Sequence, residues 1–235
     1  MVDESGFESG LSSVGASPVS DRELLCTVGE IAVTGPMYPS DKICMYLFYT
    51  DVVIIANKLY GARVESSWQQ FQKMAKDYRK VKLGVSFDHR TSSSRALSVA
   101  RFRYITVPLL KGAAPALTAL KSGGIGNFGV LNILTEPRNL RAAVIAMRPV
   151  IQEIKDTMKG HTVIAIGSFD YSNTNFDTFA DVIKLAVDTF AADTVIAMSS
   201  VNSIQSREEC RATPPGLLTT TRQDRSPSLV RFCVS

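Results

Sequence analysis

Thr162–Gly167, TVIAIG, and Thr194–Ser199, TVIAMS, are two short apolar runs, and the way they are joined decides the fold. Between them, Asn175–Phe190 places Phe176, Phe179, Ile183, Val187 and Phe190 at helical spacing. A strand that is apolar throughout is buried on both faces, which is the situation in a parallel sheet covered by helices. Strand, helix, strand therefore predicts a βαβ unit whose two strands lie side by side and parallel. Phe179, Ile183 and Val187 are expected to face the sheet.

The same alternation continues towards the N-terminus. Pro137 opens a helix to Lys159, with Leu140, Val144, Met147, Ile151, Ile154 and Met158 on one face; Pro149 should kink it and Gly160 should stop it. Phe128–Ile133 reads as a strand. Gly123-Gly124-Ile125-Gly126 follows a helix and precedes a strand, the reverse of a dinucleotide fingerprint, so it reads as an αβ turn. A helical stretch lies within Pro108–Lys121, interrupted by Gly112 and Pro115. Lys82–Phe87, KLGVSF, is a strand. Ser67–Lys80 is a helix with capping-box spacing at Ser67 and Gln70, and Trp68, Phe71, Ala75 and Tyr78 share a face, which makes Trp68 a core residue. Ile43–Tyr49 is a strand, followed by a second apolar run, Val52–Ile55.

Strand centres fall at intervals of about 45, 34 and 33 residues, and the long interval contains TSSSRALSVARFR, 91–103. Removing those residues restores the period and joins Arg90 to Tyr104. The segment is therefore expected to be an insertion, such as an unspliced fragment, rather than a long βα loop. Residues 1–23 are rich in Ser, Gly and Glu and read as disordered. Residues 24–210 form one α/β domain, a parallel (β/α)-barrel-like (TIM-type) fold, and 211–235 an irregular tail. About five barrel strands are visible where eight need about 250 residues, so the barrel is expected to be incomplete at its C-terminal end.

The chain has 235 residues, 45% hydrophobic and 20% charged, which excludes collagen, coiled coil and wholesale disorder. No run approaches the roughly 20 apolar residues of a membrane span, and no N-terminal segment reads as a signal peptide. The net charge of +4 is concentrated in 91–103 and 211–235, against an acidic 1–23. A phosphate-binding surface needs basic residues gathered on a folded face, so no nucleic-acid partner is expected. The four cysteines, Cys26, Cys44, Cys210 and Cys233, are widely spaced, and His89 and His161 are the only histidines. No metal site or cofactor is expected from them. Cys26 and Cys44 could be bridged in an oxidising compartment, or all four could be free thiols; the residues leave both open.

In order of elements, VKLGVSF, GNFGVLNILTE, TVIAIG and ADTVIAMSS resemble the family 18 glycoside hydrolases, the chitinases. LLCTVG, YPSDKICMYLFYTDVVI, SWQQFQKMAKDY and FGVLNIL look closer still to chitinase-like secreted proteins of ticks. The resemblance covers roughly Leu24 to Cys210 and implies a TIM-type barrel, a carbohydrate ligand and an extracellular location.

The family's catalytic pattern does not carry over. Its DGxDxDxE strand ends in the glutamate that protonates the leaving oxygen. Aligning Gly129-Val130 with the family's Gly-Val puts Leu131, Ile133 and Thr135 at the Asp, Asp and Glu places. Sliding the register brings Asn132 near an aspartate place and leaves Glu136 one step late, on the wrong face of a regularly alternating strand. KLGVSF lacks the glycines of SxGG, and Ser200 and Val201 stand where MxYD has Tyr and Asp. The residues thus point to a non-catalytic chitinase-like protein that binds carbohydrate at the C-terminal mouth of the barrel. The candidate ligand-binding residues are Asp88, Glu136, Asp170, Tyr171 and Ser200, polar groups at strand ends that could otherwise serve only as helix caps, together with Asn132, near the aspartate place that the resemblance implies. Two alternatives stand beside this: a βα-barrel hydrolase using Glu136 or Asp170 as acid, and a truncated or mis-spliced product without independent function.

Overall fold

The computed structural model of the chain describes residues 24–62, 64–91, 103–135, 137–168 and 173–198. Its elements run β1 (Leu25–Val28), β2 (Tyr46–Ile55), β3 (Lys58–Gly61), α1 (Glu65–Met74), β4 (Lys82–Phe87), β5 (Arg90–Thr91), β6 (Arg103–Tyr104), α2 (Val107–Gly112), α3 (Ala114–Ser122), β7 (Ile125–Thr135), α4 (Pro137–Met158), β8 (Thr162–Ser168), α5 (Asn173–Thr189) and β9 (Thr194–Met198). One sheet carries them in the order β1-β2-β4-β7-β8-β9, every neighbouring pair parallel, with β3 folded back antiparallel on the end of β2. Parallel strands in chain order with helices on one face form a curled half-barrel, an incomplete TIM-type α/β barrel.

Two cores follow from strand alternation. The larger lies between sheet and helices, where Leu47, Tyr49, Leu83, Val85, Phe87, Phe128, Val130, Ile164 and Ile166 meet Trp68, Phe71, Leu110 and the buried face of α4. The smaller fills the concave side: Tyr46, Phe48 and Val163 with Leu25, Leu131 and Ile196 packed against them. All six of these residues are on strands, so the sheet curls enough for side chains of β1 and β9 to join one cluster.

Several boundaries differ from the sequence expectation for local reasons. Tyr46–Tyr49 of the first expected run and Val52–Ile55 are one strand, β2, which passes through a bulge at Asp51, with Thr50 opposite Ser86 and Val52 opposite Phe87. β1 is a sixth barrel strand; LCTV is too short to show a period, and it is held by its pairing with β2. The β2–β3 hairpin turns at Ala56 and Asn57, both at positive φ (47° and 62°), in a sequence without the glycine such turns favour. The first helix begins at Glu65, not Ser67, and ends at Met74. Ser67 does not cap it: its hydroxyl donates to the Val64 carbonyl and bonds the Tyr49 hydroxyl at 2.7 Å. The helix within 108–121 is two, α2 and α3, as Gly112 and Pro115 indicate.

α4 runs as one helix through Pro149. Beyond it, Lys159, not Gly160, takes the left-handed conformation (φ 56°). Gly160 is needed for another reason, since a Cβ there would collide with the Gly126 carbonyl at the start of β7. β8 and β9 pair in parallel as expected, Val163 opposite Thr194 through Gly167 opposite Met198. The inner face of α5 is not the expected one. Val182, Ala186 and Phe190 are buried, Ile183 is half-buried, and Val187 is 57% exposed. α5 packs on α4 as well as on β8 and β9, which rotates its apolar face away from Val187.

Cys26, in β1, and Cys44, just before β2, are joined by a disulfide with Cα atoms 5.9 Å apart. The connection they close is also held by the Asp41 carboxylate, which accepts the N–H groups of Arg79, Lys80 and Val81 at 2.9–3.2 Å. Residues 92–102 lie outside the described residues. Their flanks form a two-rung antiparallel ladder, Arg90 opposite Tyr104 and Thr91 opposite Arg103, which brings together the positions that the period arithmetic joins.

Candidate functional site

Around the carboxyl end of β4, and from the stretches of β2 and β7 beside it, five polar residues meet: Asp51, Ser86, Asp88, His89 and Asn132. Asn132 is the centre. Its amide nitrogen donates to Asp51 Oδ2 at 3.0 Å and to Asp88 Oδ1 at 3.0 Å. Its amide oxygen accepts the backbone N–H of His89 at 3.1 Å and lies 3.0 Å from His89 Nδ1. An amide oxygen only accepts, so this last bond requires the proton on Nδ1. Ser86 donates its hydroxyl to Asp51 Oδ1 at 2.6 Å and accepts the Leu131 N–H at 2.9 Å. Ser86 and His89 are almost fully buried, at 0% and 1% exposure, whereas Asp51, Asp88 and Asn132 are half-buried at the rim. Carboxylates facing an amide are satisfied by it, and charge-assisted bonds of this kind are about twice as strong as neutral ones.

The strands reach this arrangement through two bulges. In β2, Thr50 pairs with Ser86 and Val52 with Phe87, so Asp51 is an extra residue. In β7, Val130 pairs with Ile164 and Ile133 with Ile166, so Leu131 and Asn132 share the span of Ala165. Val130 and Ile133 both belong to the helix-side core, and Leu131 packs in the concave core. The uniform alternation assumed from the sequence therefore does not hold along β7. Bulges next to sites commonly re-aim a side chain in this way.

Of the expected ligand-binding residues, the structure brings Asp88 and Asn132 together. Glu136, Asp170, Tyr171 and Ser200 lie outside the described residues. Asp51 and Ser86 were not anticipated. Their signals were a lone acid inside the apolar run YLFYTDVVII and a hydroxyl at the end of KLGVSF, both compatible with an ordinary strand. Among the described residues no group of three His, Cys, Asp or Glu side chains could hold a metal ion, and no helix is long and apolar enough to cross a membrane.

The opposite end of the sheet carries a different network. The His161 ring, just before β8, stacks on Tyr46 of β2 at 4.5 Å between centroids, and Lys82 sits 5.0 Å over the Tyr46 ring. His161 Nε2 bonds Thr194 Oγ1 at 2.9 Å. These groups pin the amino ends of β2, β4, β8 and β9, the end of a barrel where side chains serve stability rather than ligands. A small apolar cleft lies between α2, α3 and α4, lined by Leu110, Ala114, Leu117, Ile154 and Met158 and bordered by the Lys111–Glu153 ion pair. It is on the helix side of the sheet, away from the polar cluster.

No protein-family model matches the chain, and no curated protein matches it in sequence. Solved structures do. The chitinase domain of the spore coat protein CotE from Clostridium difficile superposes with a TM-score of 0.57 at 10% identity, over 92% of this chain and 61% of that one. The fold is shared with chitinases. Human YKL-39, described as a pseudo-chitinase with retained chitooligosaccharide binding properties, gives 0.51 at 14% identity over 89% of this chain and 59% of its own. Chitinase ChiW from Paenibacillus sp. str. FPU-7, a multi-modular cell-surface enzyme, gives 0.50 at 12% identity over 90% of this chain and 28% of its own. This chain thus spans about 60% of the first two structures and less of the third. At such identities the likeness is one of architecture.

Proposed function

We propose that the protein is a chitinase-like, carbohydrate-binding protein that holds its ligand at the carboxyl-end mouth of the half-barrel without hydrolysing it. The observation that carries this reading is the Asp51–Asn132–Asp88 cluster, hydrogen-bonding groups of both kinds gathered where βα-barrel proteins bind ligands. Neutral sugars are recognised by such groups, since each hydroxyl both donates and accepts. The pseudo-chitinase YKL-39 shows that the shared fold is compatible with binding in the absence of hydrolysis. Asp88 and Asn132 would contact the sugar from the described part of the rim, a sugar hydroxyl taking the place of one of the four hydrogen bonds that Asn132 makes, with Glu136, Asp170, Tyr171 and Ser200 proposed for the remainder. A saccharide ligand and the Cys26–Cys44 disulfide both fit a protein that works outside the cell.

One observation favours a second reading, hydrolysis with Glu136 as acid. The bulge at Leu131–Asn132 absorbs one residue. The regular alternation on which the objection to Glu136 rests therefore does not hold along β7. Against it, Asn132 is an amide where the family has a carboxylate, and an amide cannot ionise. Isothermal calorimetry with a chito-oligosaccharide, beside a turnover assay on the same sugar, separates the readings. Binding without product supports the proposal; sustained product release replaces it with the hydrolase.

A further inference from the structure

Ser86 sits on β4 between the two bulged strands, and its hydroxyl touches both bulges. It donates to Asp51, the extra residue of β2, at 2.6 Å, and it accepts the N–H of Leu131, the first residue of the β7 bulge, at 2.9 Å. The bulge in turn decides where Asn132 points. Val130 and Ile133 both face the helix-side core, which is possible only if two successive residues between them turn the other way. In a regular strand, with Val130 fixed, Asn132 would face the apolar helix-side core and its amide would lack polar partners. With the bulge it meets Asp51, Asp88 and His89 instead.

We infer that Ser86 is a positioning residue for the mouth site: its single hydroxyl ties the β2 bulge to the β7 bulge and so holds Asn132 towards the ligand. Ser86 is 0% exposed and would not touch a ligand in the mouth. Its effect would be transmitted through Asp51 and Asn132. This inference rests on the mouth being the binding site, but its geometric part can be tested without a ligand. A methyl group at position 86 can neither accept from Leu131 nor donate to Asp51, whereas threonine keeps the hydroxyl.

The experiment compares wild type, Ser86→Ala, Ser86→Cys and Ser86→Thr by two readouts. The first is the side-chain amide resonance of Asn132 in nuclear magnetic resonance spectra of the free protein. The second is calorimetric affinity for a chito-oligosaccharide. The inference expects the Asn132 amide signals to shift and exchange faster in Ser86→Ala, with affinity lower by tenfold or more and Ser86→Thr restoring both. Ser86→Cys, close in shape but a poor hydrogen-bonding group, should follow Ser86→Ala and replaces it should the alanine variant not fold. An unchanged Asn132 resonance in folded Ser86→Ala or Ser86→Cys overturns the inference. If the wild type binds no sugar, the carbohydrate reading fails, and the Asn132 resonance still decides whether Ser86 sets the bulge.

Discussion

Asn132 donates its amide hydrogen to Asp51 at 3.0 Å although 81 residues and one whole strand, β4, separate them. The contact exists because each comes from a bulge on the strand flanking β4, and both turn towards the concave side where Ser86 lies between them. The barrel mouth thus depends on two local departures from regular pairing.

The inner face of α5 can be tested by a pair of substitutions. Val182→Ala removes two buried methyl groups and should cost about 1–3 kcal/mol in urea unfolding, the transfer energy plus a cavity term. Val187→Ala, at a 57% exposed position, should stay within about 0.5 kcal/mol. A larger loss at Val187 than at Val182 would show that α5 sits in the phase expected from its sequence.

That phase illustrates what was legible beforehand. The βα alternation, the parallel β8–β9 pair and the turn at Gly123-Gly124 follow from apolar runs and glycine placement, which are local properties. The rotation of α5 was hidden because the apolar residues from Phe176 to Phe190, Val182 and Ala186 as well as Ile183 and Val187, suit more than one packing, and the neighbouring α4 selects among them. Asp88 was legible as a polar strand end, and Asn132 through its place near an aspartate of the motif that the resemblance implies. Asp51 and Ser86 were not, since a bulge is set by pairing between strands and leaves no mark in either strand's own pattern.

Acid stability should depend on Asp193. Partial burial pushes its pKa up, but hydrogen bonds from Lys155 and the Thr162 N–H, with the charges of Lys155 and His161, hold it below the usual carboxylate value. A carboxylate whose folded pKa is lowered contributes stability above its unfolded pKa, about 3.9, and loses it as pH falls through the folded value. Thermal unfolding from pH 6 to 2 should therefore show a decline below about pH 4. Asp193→Asn should be less stable at pH 6 and flatter below pH 4. A parallel pair of curves would remove Asp193 from the account.

The Cys26–Cys44 disulfide closes a loop of sequence separation 18. Constraining a loop of that length stabilises a protein by about 3 kcal/mol in the chain-entropy view. Replacing both cysteines with alanine should lower stability by that order, and peptide mapping under non-reducing conditions should recover the linked pair. Free thiols at both positions would contradict the pairing.

The insertion proposal for 91–103 has a direct construction. Because Thr91 pairs antiparallel with Arg103, an Asn-Gly turn can replace 92–102 without separating the strand ends. The shortened protein should unfold within about 4 °C of the parent, the equivalent of roughly 1 kcal/mol at this size. A larger loss would make those residues part of the fold.

The most direct test of the mouth as a binding site is calorimetric titration of the wild type and of Asn132→Ala with a chito-oligosaccharide. Loss of the central amide releases the Asp51 and Asp88 carboxylates that it holds; a carboxylate's hydrogen bond to the sugar contributes about 1.5–3 kcal/mol, so binding should weaken roughly ten- to a hundredfold. The account predicts measurable wild-type affinity, that loss in a variant with an unchanged circular dichroism spectrum, and no sugar cleavage by either protein. Equal affinity of the two, or no heat from the wild type at millimolar sugar, would contradict it.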